Sequence, residues 1–146
     1  MNEPAAGGYD RIPLLVMFEE RAAFKDTYAG EIGRVVLKAH LLRPKGRPSR
    51  TVLVFMHPIG GGEYLPLPVA LAKQGVHVIY CNSRYRSDSA LIMEKVVLDM
   101  RAAVADAKER LGYSRVVLAG WSGGGSLSLL YQEQAERSEK LRVESY

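Results

Sequence analysis

The chain has 146 residues, 47% of them hydrophobic and 25% charged, which suits one globular domain with a sizeable core and excludes a disordered or fibrous protein. The net charge of +4 is mild. The densest basic run, Arg43, Lys45, Arg47 and Arg50 in "RPKGRPSR", holds prolines and a glycine but no aromatic residue, so it reads as a solvated turn and no nucleic-acid partner is expected.

One cysteine, Cys81, leaves no disulfide framework and no thiolate metal cluster; at the end of the apolar run "VIYCNS" it reads as a buried, inert thiol. The N-terminus lacks a basic segment followed by an apolar one, so it does not read as a signal peptide. No apolar run approaches ~18 residues, so no membrane span is indicated and a cytoplasmic location is expected.

In chain order, residues 1–11 read as a loose polar arm and 14–28 as ambiguous, with a strand near Ala22–Tyr28 as one option. "RVVLKAHLLRP" predicts a strand with Val35, Leu37, Ala39 and Leu41 on one face, ended by Pro44. "TVLVFMH", 51–57, is continuously apolar, as a central parallel strand covered on both faces requires. A short helix follows from about Leu67 to Gln74, capped by Gly75, and then a buried strand at 76–82.

The strongest helix signal comes next. Met93, Val96, Val97, Met100, Val104, Ala107 and Leu111 recur at the 3.6-residue period, with Asp88 or Ser89 as caps and Gly112 as the stop. "SRVVLAG" is a further buried strand, and "GSLSLLYQEQAER" opens a helix with Leu127, Leu130 and Tyr131 on one side. The alternation over 51–137 predicts an α/β fold: a mostly parallel sheet of about five strands with flanking helices and right-handed crossovers. The expected division is an N-terminal arm at 1–19, one domain at 20–137 and a polar C-terminal tail at 138–146.

The stretch "VVLAGWSGGGSL", 116–127, carries the chemistry. A phosphate-binding loop needs Lys and Ser or Thr after its second glycine; Gly120 and Gly125 have that spacing, but Ser126 and Leu127 follow. A dinucleotide turn needs three glycines, and Gly123, Gly125 and Ser128 supply two. Gly120-Trp121-Ser122-Gly123-Gly124 fits a third pattern, the nucleophile elbow G-x-S-x-G between a buried strand and a helix. That turn lifts Ser122 above the sheet edge and points the N–H groups of the next helix at developing negative charge. A second glycine-rich loop, "MHPIGGG" at 56–62, follows an earlier central strand. Acyl transfer needs two N–H donors for an oxyanion, and glycines allow close backbone approach.

With these two loops, the chain resembles the α/β-hydrolase superfamily, in its esterase or lipase-like branch, over about residues 20–137. The resemblance implies Ser122 as the nucleophile and an oxyanion hole from Gly123 N–H with Ile59 or Gly60 N–H, supported by His57. Where the family commonly has His-Gly in that loop, this chain has His57-Pro58, and proline has no N–H to donate. No cofactor and no metal are implied. The family order is Ser, then Asp or Glu, then His. After Ser122 this sequence holds neither histidine nor aspartate. His40 and His77 sit in strand patterns and read as packed or surface residues. Asp88, Asp99 and Asp106 precede or ride on a helix.

The family sheet has eight strands in order 1-2-4-3-5-6-7-8, and five are expected here. "SRVVLAG" would then be an open edge, and the ending "RSEKLRVESY" carries no strand signal. The expected protein is the N-terminal half of an incomplete α/β-hydrolase fold. Its complete form hydrolyses a small-molecule ester or acyl compound, and this chain is weakly active or inactive. The alternative is a non-catalytic interaction module or half-subunit that associates with itself or with a C-terminal half through the open edge. A nucleotide-binding α/β protein is a third option.

Overall fold

Short apolar strands buried on both faces set the centre of the molecule. A computed structural model of the chain describes residues 8–21, 32–59, 66–85, 91–120, 123–136 and 144–145. The central strands are β3 (Thr51–Phe55), β4 (Val78–Cys81) and β5 (Arg115–Ala119). They are flanked by the long strands β1 (Tyr9–Arg21) and β2 (Ile32–Pro44) on one side and by the two-residue β6 (Glu144–Ser145) on the other. The order across the sheet is β1-β2-β4-β3-β5-β6.

Helices α1 (Pro66–Lys73), α2 (Met93–Glu109) and α3 (Gly123–Glu136) connect β3 to β4, β4 to β5 and β5 to β6. Alternate residues along the strands face opposite sides. Leu42, Phe55, Val78 and Tyr80 pack with Ala72 of α1. Val52, Val54, Ile79, Val116 and Leu118 pack with Val96, Met100 and Val104 of α2 and Leu127 and Tyr131 of α3. Each such side chain contributes roughly 1.5–3 kcal/mol when fully buried.

The expectation of a mostly parallel sheet needs correction. β3 pairs in parallel with β4 and β5, and β5 with β6, but β2 runs antiparallel to both β1 and β4. The β1–β2 ladder extends unbroken from Tyr9↔Pro44 to Arg21↔Ile32, whereas the parallel strands are only two to five residues long, so antiparallel pairing makes up the larger share. β1 also takes in the described end of the expected arm, from Tyr9, and the ambiguous segment as far as Arg21. Ile12, Leu14, Val16 and Phe18 face the core, but Leu15 and Met17, on the outer face, are 51% and 59% exposed. Apolar residues on both faces hide the period of two. Pro13 on this edge strand lacks an N–H, and Arg110 Nη2 lies 3.4 Å from the Leu15 carbonyl oxygen, so the edge is partly blocked. The suggested strand at Ala22–Tyr28 lies outside the described residues.

Other expectations agree with the fold. Leu37, Ala39 and Leu41 are buried on one face of β2, which ends at Pro44. Gly75 (φ +94°) and Gly112 (φ +80°) take the left-handed conformation where α1 and α2 stop. The N-cap of α2 is Ile92, which has no side-chain cap, and Asp88 and Ser89 fall outside the described residues. β5 is not an open edge along its whole length, because Val117 pairs with Glu144 and Leu118 with Ser145. Two residues of main-chain pairing leave too little side-chain pattern to be read from the tail. Cys81 is a free, buried thiol, and burial, reinforced by Asp99 and Asp106, pushes its pKa far above the ordinary value.

Candidate active site

Neighbouring parallel strands release their chains at the same sheet edge. β3 and β5 pair with Phe55 opposite Ala119. The loop at 56–59 and the segment leading from Gly120 to Gly123 therefore leave side by side. Gly123 opens α3, whose first N–H groups have no intrahelical partner and lie at the positive end of the helix dipole. On the other flank of β3, Phe55 pairs with Tyr80 of β4, so the segment 82–85 leaves at this edge too. Of the predicted site residues, the structure brings His57, Ile59 and Gly123 to one edge. Ser122 and Gly60 lie outside the described residues.

His57 folds back on its own loop. Its Nδ1 is 2.8 Å from the Ile59 carbonyl oxygen and 3.2 Å from the Ile59 nitrogen. One ring nitrogen cannot donate to the first and accept from the second at once. The shorter contact is to an oxygen that only accepts, which assigns the proton to Nδ1. The Ile59 N–H still points toward that ring nitrogen, within its own loop. Pro58 has no N–H, so Ile59 carries the first available donor of this loop.

The polar residues after β4 are tied into the fold. Ser83, 8% exposed, donates from Oγ to the Pro58 carbonyl oxygen at 2.6 Å and accepts the Tyr85 N–H at 3.2 Å. Arg84 donates its main-chain N–H to Asp99 Oδ2 at 2.8 Å, and its Nε and Nη2 to Asp99 Oδ1 at 3.0 and 2.8 Å. Its Nη1 reaches Glu20 Oε2 of β1 at 2.6 Å, and the guanidinium lies 5.8 Å from the centre of the Phe18 ring. Burial opposes the Arg84 charge, but hydrogen bonds from Asp99 and Glu20 outweigh it and raise the pKa above the ordinary arginine value. Asp99 is fully buried. Its spacing shows it: Asp99 falls three residues after Val96 and four before Ala103, on the apolar stripe of α2, where a charge needs a partner.

The other two histidines belong to other elements, His40 to β2, level with Tyr80, and His77 to the segment before β4. His77 precedes β4 at the opposite end of the strand; it is buried, bonded through Nδ1 to the Tyr113 hydroxyl at 2.8 Å and through Nε2 to the Arg47 carbonyl oxygen. His40 stacks on Tyr80 with ring centres 5.0 Å apart. The basic turn also lies at that opposite end, where Arg43, Lys45 and Arg47 line a shallow cleft with Asp10 and His77. Arg43 and Lys45 stand 3.8 Å from Asp10. Among the described residues no group of three or more His, Cys, Asp or Glu is placed to hold a metal, and no helix is long and apolar enough to cross a membrane.

No protein-family model and no curated protein matches the sequence. Solved structures do. A bacterial heroin esterase superposes with a TM-score of 0.61 at 23% identity, over 90% of this chain and 42% of its own. Est1E from Butyrivibrio proteoclasticus gives 0.58 at 22% identity, over 74% and 44%. The peroxisomal α/β-hydrolase Lpx1 from Saccharomyces cerevisiae gives 0.60 at 18% identity, over 92% and 42%. The fold is that of the α/β-hydrolases. The chain spans less than half the length of each of these three structures. Within the α/β-hydrolase sheet it supplies β1-β2-β4-β3-β5 and a short β6, in the order the sequence resemblance implies.

Proposed function

We propose that this chain forms the nucleophile and oxyanion part of a serine hydrolase that acts on small esters or related acyl compounds. Ser122 attacks the carbonyl carbon, and Gly123 N–H with Ile59 or Gly60 N–H receives the oxyanion. The observation that carries this reading is the Phe55↔Ala119 register, which sends the His57–Ile59 loop and the elbow segment out of the sheet together, with α3 starting at Gly123. The names of the similar structures, two of them esterases or α/β-hydrolases, point the same way.

The general base lies outside residues 1–146 in this reading, because no histidine follows Ser122, and the acid that orients it is assigned there with it. They come from polypeptide equivalent to the remaining length of the similar structures. Alone, the chain turns over slowly. The expected setting is the cytoplasm.

Hydrolysis of p-nitrophenyl acetate, with and without added imidazole as a diffusible base, tests the reading. Imidazole is expected to raise turnover by the native chain and to leave Ser122→Ala at the buffer rate, with an acetyl adduct seen by intact mass only when Ser122 is present. Equal rates for the two proteins would overturn it. Fast Ser122-dependent turnover without imidazole would overturn the missing base.

A further inference from the structure

We propose that the cleft beside the turn after β2 binds a small phosphate dianion, either inorganic phosphate or the phosphoryl end of a phosphomonoester, independently of the hydrolase reading. The cleft is open and has a volume of about 320 Å³. Asp10 of β1, Arg43 and Pro44 of β2, Lys45 and Arg47 of the turn, and His77 line it. All of them lie among the described residues.

The main chain holds each cation in place. Arg43 stands opposite Asp10 in the β1–β2 register. The Lys45 N–H donates to the Gly8 carbonyl oxygen at 3.0 Å, next to the Tyr9↔Pro44 pair. The Arg47 carbonyl oxygen accepts from His77 Nε2. The Arg47 side chain lies across Gly75 at the stop of α1, where a Cβ would fall 2.5 Å from Nη1 and 3.0 Å from Cδ. Pro44 and Pro48 stiffen the turn on either side.

The cations are short of partners. Arg43 Nη2 and Lys45 Nζ each stand 3.8 Å from Asp10, close enough for attraction but too far for a hydrogen bond. Among the described residues the Arg47 guanidinium has no hydrogen bond and no ion pair. His77 is buried, and its neutral tautomer satisfies both of its contacts, so it adds no charge. Three cations against one carboxylate leave two positive charges in excess. Like charges gathered on one short turn repel, and that repulsion persists until an anion enters. A phosphate dianion cancels the excess, and its oxygens accept charge-assisted hydrogen bonds from three separate side chains. A monocarboxylate brings half the charge.

The test is isothermal titration of the native chain with inorganic phosphate at mildly alkaline pH, where phosphate is the dianion. Sodium chloride keeps the ionic strength constant, because salt screens exposed charges. Saturable binding at one site per chain is expected. Arg43→Gln, Lys45→Gln and Arg47→Gln should each weaken it about tenfold, as the loss of a hydrogen bond to a charged group does. Asp10→Asn removes the opposing carboxylate and should tighten it. Acetate should bind at least about tenfold more weakly than phosphate. These side chains stand at the surface, so the variants keep the fold, which circular-dichroism melts check. Displacement of phosphate by glycerol 3-phosphate would assign the site to a soluble phosphomonoester. Lys45-dependent sedimentation with phosphatidic-acid vesicles, and not with phosphatidylserine vesicles of equal charge, would assign it to a lipid headgroup. If neither competes, inorganic phosphate itself is the ligand. Absence of saturable binding, equal affinity for acetate, or unchanged phosphate affinity in all three cation variants would overturn the proposal and leave the hydrolase reading untouched.

Discussion

Both ends of strand β4 are held by buried polar groups, and the two ends are held differently. At the start of the strand His77 is closed on itself and its neighbours. The Arg47 carbonyl oxygen can only accept, so Nε2 carries the proton and Nδ1 accepts from the Tyr113 hydroxyl. Both ring nitrogens are used, and nothing is offered outward. At the end of the strand Ser83 and Arg84 hold a carbonyl, a fully buried carboxylate and a carboxylate of β1. There the network ties the loop after β3, through the Pro58 carbonyl, and helix α2, through Asp99, to the end of β4.

The largest expected effect breaks the second end. Arg84→Met removes the side-chain partner of Asp99, which is fully buried, and among the described residues leaves its carboxylate the main-chain N–H of residue 84. Losing one member of a buried ion pair costs about 3–5 kcal/mol. The urea midpoint should fall accordingly, and turnover per folded molecule should fall with it, since Ser83 is the adjacent residue. Unchanged stability would mean that the Arg84–Asp99 pair does not tie β4 to α2.

The first end should give a smaller and purely structural loss. His77→Leu leaves the Tyr113 hydroxyl, 6% exposed as a residue, and the Arg47 carbonyl without their partner. An unmade buried hydrogen bond costs about 1–3 kcal/mol. The urea midpoint should drop while imidazole-supported turnover per folded molecule stays the same. A loss of turnover would erase the distinction between the two ends.

The same contrast marks what the sequence could show. The continuous apolar runs at Val52–Phe55, Val78–Cys81 and Val116–Leu118 and the stripe of α2 are the direct imprint of burial, so the central strands and helices were legible. The glycine-rich elbow and loop were legible because backbone freedom is written in residue type. β1 was not, because Leu15 and Met17 put apolar groups on the outer face and cancelled the alternation. β6 was not, because two residues of main-chain pairing carry almost no side-chain signal. Ser83 and Arg84 carry no local signal of their role, because their partners, Pro58 and Asp99, are distant in sequence. Asp99 was placed on the helix, but its position on the apolar stripe, the signal of a buried charge, was not drawn on.

The smallest effect is one of pH, and it separates the two ends without a mutation. Burial raises the pKa of Tyr113 above its ordinary value of 10.0, against a lowering from Arg43. The neutral hydroxyl is thus favoured in the folded state. Its contribution is complete below pH 10, the unfolded value, and is lost as the pH rises through the raised folded value. Arg84 shifts upward from the ordinary arginine value, so the end of β4 that it holds keeps its charge throughout this range. Raising the pH above 10 should therefore weaken the His77 end first. Tyr131, whose pKa burial pushes up to about 12 despite Arg101, adds a loss of the same sign across pH 10–12. Tyr113→Phe should lower stability at neutral pH and flatten part of the alkaline decline in urea midpoint, leaving the part that Tyr131 carries. A decline of undiminished slope in Tyr113→Phe would place the whole alkaline sensitivity in α3, and the His77 end would then be no more sensitive to alkali than the end held by Arg84.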